Sequence, residues 1–139
     1  MKHLEKLKIC NWALLIFCLL ILTSSIQLEA TGSRGLLPVW LHVFIGLLFS
    51  LLVILHIYLH FKWCNWFARF NKLKKPVTRI LWYLFLATII LGIATFIHWL
   101  ISNHHSILGG VHGKIGFLML AVGIGHILKR IKFFKTSKK

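Results

Sequence analysis

Leu41-His42-Val43-Phe44-Ile45-Gly46 leads through a nearly unbroken apolar run to Leu55-His56-Ile57, and this stretch decides the fold. It places two histidines fourteen positions apart in a segment long enough to cross a bilayer. The arrangement returns seventy residues later as Val111-His112-Gly113-Lys114-Ile115-Gly116 through Gly125-His126-Ile127. The copies coincide at His42/His112, Ile45/Ile115, Gly46/Gly116, Leu48/Leu118, Ile54/Ile124, His56/His126 and Ile57/Ile127.

The composition around these copies is that of an integral membrane protein. Hydrophobic residues make up 58% of the 139, and the only acids are Glu5 and Glu29. Soluble domains rarely run this apolar. The net charge of +15 would suit a nucleic-acid partner, but the bases cluster beside apolar runs and almost no polar face remains, so no nucleic acid is expected. Cys10, Cys18 and Cys64 form no CxxC pair, and the chain has no CxxCH. A zinc knuckle, a redox dithiol and covalent c-type haem attachment are therefore not indicated.

Four apolar runs of about 20 residues stand out, near 10–28, 39–61, 77–101 and 107–128. Backbone amides in lipid must be paired within their own segment, so the runs are expected to be α-helices. The segments between them carry turn signals: Gly32, Gly35 and Pro38 after the first run, a basic loop ending at Pro76, and Gly109-Gly110 after the third. Pro76 is well placed to start the third helix. Short connections make sequential helices antiparallel neighbours. The expected fold is one all-α membrane domain over 1–139, a four-transmembrane-helix bundle. The basic start, apolar run and Thr23-Ser24-Ser25 also resemble a secretory signal, but the run is long and no A-x-A site follows, so the first helix is expected to be retained.

Of the 17 Lys and Arg, only Arg34 and Lys114 fall on one side of such a bundle. The rest lie in the N-terminal segment, the second connection and the C-terminal tail. This asymmetry puts both termini in the cytoplasm, in a multi-pass protein of the inner (cytoplasmic) membrane. Trp40 and Trp99 mark the outer interface, and Trp12, Trp63, Trp66 and Trp82 the inner one.

Fourteen residues make about 3.9 helical turns and about 21 Å of rise. His42 and His56 then share one face, near opposite membrane surfaces, as do His112 and His126. Helices two and four are parallel in this topology, so His42 comes level with His112 and His56 with His126. Opposed pairs at two depths suit axial ligation of two haems. Gly46 and Gly116, one turn beyond each first histidine, would admit the edge of a flat macrocycle, and Gly123 and Gly125 thin the helix near His126. Small residues also serve close helix packing. Ionisable residues inside a span are costly and usually functional. Zinc prefers about four clustered ligands, which the pairs do not offer. His60 is an alternate inner ligand, although Arg130 stands at its place in the second copy. His98, with His104 and His105, could meet the outer haem, a quinone headgroup or a proton route, or be solvated interface residues. Lys114 is a candidate partner for an outer haem propionate, with Lys62, Lys129 and Arg130 as inner counterparts.

With these residues in place, the chain resembles the dihaem cytochrome b type of four-helix bundle, and more closely the small flavinylation-associated cytochromes. The resemblance is strongest over 40–63 and 111–132 and weak in the first helix. It implies two haem b groups and electron exchange between quinone or membrane and flavin-bearing extracytoplasmic domains. A quinone and a flavoprotein are thus implied partners; a homo-oligomer stays open. No nucleophile–base pair or phosphate-binding loop is present, so an electron-transfer component is expected rather than a self-contained enzyme. Two readings from other classes remain: a histidine-lined metal-binding or transport protein without haem, and a purely structural anchor.

Overall fold

The computed structural model describes residues 3–32, 35–61, 76–102 and 106–129. Lys2, Arg34, the basic segment 62–75 (with Trp63, Cys64 and Trp66), His104, His105 and the tail 130–139 lie outside the described residues. Among the described residues the chain is all-helical: α1 His3–Thr31, α2 Leu36–Phe61, α3 Pro76–Ser102 and α4 Ile107–Lys129. At 1.5 Å per residue they are about 35 to 43 Å long, and a bilayer core is about 30 Å thick. All four are long and apolar enough to cross a membrane.

The helices outrun the apolar segments because their ends have local caps. α1 closes on Gly32, whose φ of 60° lies in the left-handed region and whose N–H donates to Glu29 O at 3.2 Å. A glycine adopts this conformation without a Cβ clash. Gly35, with φ of 94°, makes the second bend. Pro38, expected to belong to the turn, instead lies in the first turn of α2, where its missing N–H costs nothing. α3 begins at Pro76. Ser106 caps α4, its Oγ accepting from Gly109 N–H at 3.1 Å. Gly109-Gly110 therefore belongs to the first turn of α4 rather than to a break before it.

The chain divides into two compact units, Met1–Phe70 and Asn71–Lys139. The division falls at the seventy-residue offset of the sequence repeat, so each unit contains one copy. Within the first unit α1 packs on α2, and within the second α3 packs on α4. Both pairs are antiparallel, because the contacting residues run in opposite directions along the two helices. In the first unit Ser24 meets His42 and Cys10 meets Leu52. In the second Thr88 meets His112, and Leu81 lies nearest Gly123.

Each hairpin has a sheltered and an exposed side. On α2, Trp40, Leu41, Phe44, Leu47, Leu51, Leu55 and Tyr58 are exposed. Their spacing of mostly three or four residues draws an apolar stripe along one face. On α4, Val111, Leu118, Ile124 and Leu128 do the same. In water such stripes would be a liability; their apolar character suits a lipid environment. α1 turns Leu7, Cys10, Cys18, Ile21 and Ser24 inward. Association of such helices gains little from hydrophobic burial, since lipid tails are as apolar as leucine. It depends on close packing and on the few polar contacts within each hairpin.

Candidate metal-ligating histidines

All four repeated histidines lie off the exposed stripes. His42, His56, His112 and His126 are each half-buried, and Ile57, next to His56, is buried. This follows from spacing: positions 42, 46, 49, 53, 56 and 60 recur every three or four residues on the side of α2 away from Leu41, Phe44, Leu51 and Leu55.

In the first hairpin the His42 Nδ1 is 3.0 Å from Ser24 Oγ. Ser24 is only 4% exposed, which matters because a buried hydroxyl must find partners within the protein. Its Oγ is also 2.9 Å from Ile21 O. When the serine proton goes to that carbonyl, Ser24 accepts from His42 Nδ1–H and the lone pair of the ring lies on Nε2. In the second hairpin the His112 Nδ1 is 3.1 Å from Thr88 O. A carbonyl only accepts, so here Nδ1 carries the proton and Nε2 the lone pair. Histidine ligands in metalloproteins characteristically donate the other ring N–H to a carbonyl, carboxylate or water.

The glycines one turn after these histidines face the partner helix of their own hairpin. A Cβ at Gly46 would lie 3.5 Å from Ile21 Cδ1, and one at Gly116 3.8 Å from Thr88 Cγ2, both ordinary contacts. Near His126, a Cβ at Gly123 would be 3.9 Å from Leu81 Cδ1, while one at Gly125 would enter open space. At the far end of α2 the His56 and His60 rings meet edge to face, with centroids 4.6 Å apart. His60 also tilts against Phe61 at 5.6 Å. His98 is exposed, and its Nδ1 lies 3.1 Å from Ser102 Oγ. That hydroxyl also donates to His98 O at 2.8 Å. Lys114 belongs to the exposed stripe of α4, about 200° around the helix axis from His112 at 100° per residue.

Three residues of these sites are not singled out as ring partners by the sequence: Ser24, Thr88 and Gly92. Ser24 stands out only as a hydroxyl inside an apolar span. Gly92 is a glycine in mid-span, where helix propensity gives no reason for it. A Cβ there would lie 3.0 Å from His112 Cε1 and 3.3 Å from its Nδ1. Among the described residues no three His, Cys, Asp or Glu side chains gather as a metal-binding group. Comparison with family models, curated proteins and solved structures finds no match to the chain.

Proposed function

We propose that the protein is a b-type membrane cytochrome. In this reading His42, His112, His56 and His126 ligate two haem b groups, and the chain carries electrons across the inner (cytoplasmic) membrane. The observation that supports it most is the recurrence of half-buried histidines at one spacing in both repeats. Four half-buried imidazoles recur at the same spacing, and His112 donates its Nδ1–H to a backbone carbonyl, which leaves Nε2 to act as donor atom. Bound haem would supply one-electron chemistry at iron, with ligation and burial tuning its potential. The chain's own part is to orient the rings, through Ser24 and Thr88, and to present apolar walls to lipid. Lys114, reaching from the exposed stripe by its four-carbon stem, is the base proposed for an outer propionate. Both termini are proposed to face the cytoplasm, from the placement of the bases. Quinone and a flavin-bearing extracytoplasmic domain are the proposed redox partners.

The test is a reduced-minus-oxidised spectrum of the purified protein, with haem counted per chain. Two haems are expected, and His112→Ala should lose one while keeping much of the other. Retention of the full spectrum in that variant refutes the assignment. The alternative, a histidine-lined metal-binding or transport protein without haem, draws on the His56–His60 contact, since two imidazoles one turn apart can chelate a transition metal. Zinc or copper in elemental analysis of a colourless protein would favour it.

A further inference from the structure

We propose that the 88–92 turn of α3 is the seat of the His112 ring, and that Gly92 is the positioning residue that keeps Nε2 as its donor nitrogen. The inference rests on the cytochrome reading only for the identity of the metal. The seat itself lies within one hairpin.

Two observations define it. The first is the hydrogen bond from His112 Nδ1 to Thr88 O at 3.1 Å. Thr88 O also lies in line for the helix's own bond from the N–H of residue 92, and a carbonyl oxygen has two lone pairs, enough for both. The Thr88 hydroxyl does not compete for that carbonyl, because it donates to Leu84 O at 2.8 Å. The second observation is steric. A Cβ at position 92 would meet Cε1 at 3.0 Å, Nδ1 at 3.3 Å and Nε2 at 3.8 Å of the same ring. At Gly46, Gly116, Gly123 and Gly125, by contrast, a Cβ would meet no imidazole. A side chain at position 92 requires the ring to give by a few tenths of an ångström, which strains its Nδ1–H bond to the Thr88 carbonyl.

The first hairpin lacks this device. His42 has a serine hydroxyl as its Nδ1 neighbour, and a hydroxyl can donate or accept. Ser24 therefore tolerates either tautomer, whereas the Thr88 carbonyl accepts only one. The two repeats thus offer one adjustable ring and one locked ring.

The experiment uses the full chain, purified haem-free in detergent with 15N-labelled histidine. His112→Gln assigns the His112 signals. Wild type is expected to show His112 as the Nδ1–H tautomer. Gly92→Ala should lose that tautomer as the dominant form, while Gly113→Ala, whose Cβ meets nothing within 4 Å, should keep it. Titration with hemin should show one site weakened about 10- to 100-fold in Gly92→Ala, the usual loss when a ligand's supporting contact is removed. Gly113→Ala should bind as wild type does. An Nε2–H tautomer in wild type overturns the seat, even if Gly92→Ala fails to fold. So does a folded Gly92→Ala that keeps both the tautomer and the affinity. If wild type binds no hemin, the cytochrome reading falls, and the tautomer comparison alone decides the seat.

Discussion

Replacing Ser24 by Ala tests whether the His42 contact holds the first hairpin together. Ser24 is buried, and its Oγ lies 3.0 Å from His42 Nδ1. In a water-soluble protein, leaving a buried polar group unpaired costs about 1–3 kcal/mol. Here the reference state is a helix in lipid, which finds other partners. Interhelical hydrogen bonds in a bilayer average about 0.6 kcal/mol, with a maximum near 1.7. The second scale applies, because α1 is apolar and long enough to span a membrane. The other bond lost with the hydroxyl, to Ile21 O, matters little. Ser25 Oγ donates to that same carbonyl at 2.7 Å. The expected coupling between positions 24 and 42 is therefore about 0.6–1.7 kcal/mol, roughly a 3- to 18-fold change in the folding equilibrium. A double-mutant cycle of Ser24→Ala and His42→Ala, read by reversible unfolding in mixed micelles, measures it directly. Ser24→Thr should keep most of the coupling, and Ser25→Ala should be close to neutral. A coupling within about 0.3 kcal/mol of zero, the range of simple additivity, would refute the reasoning.

Other consequences can be checked with the same preparation. Gly32→Ala places a Cβ in a left-handed turn with φ of 60° and should cost about 1–2 kcal/mol in the same unfolding assay; an unchanged midpoint would show that the turn relaxes freely. Cys10 and Cys18 are 4% and 6% exposed, so in a Cys64→Ser background a water-soluble maleimide should label them only after denaturation. Rapid labelling of the native protein would mean that α1 does not stay packed on α2. Gly110→Ala enters open space inside the first turn of α4 and should be neutral or stabilise by up to about 1 kcal/mol through helix propensity; a loss would point to a neighbour crowding that turn.

Much of the scaffold is legible in the chain alone. Four apolar runs near 20 residues become four spanning-length helices, since a backbone in lipid has few other solutions. The side of α2 and α4 that carries the histidines is also readable, because positions 42 and 56, like 112 and 126, share a face by periodicity. Helix ends are less legible. Pro38 and Gly109-Gly110 carry turn chemistry, yet each lies in a first helical turn, where that chemistry is tolerated or capped.

What each ring touches was decided only by tertiary packing. The repeat makes His42 and His112 equivalent, but their partners are not. Ser24 corresponds to Ala94 under the seventy-residue offset, while Thr88 corresponds to Cys18. The residue opposite each ring therefore differs between the hairpins by six positions, roughly 1.7 helical turns, so one imidazole reaches a hydroxyl and the other a carbonyl beside a glycine. Periodicity states which face a residue occupies; it is silent on how far one helix slides along its neighbour, and that sliding chooses the atom that holds the proton.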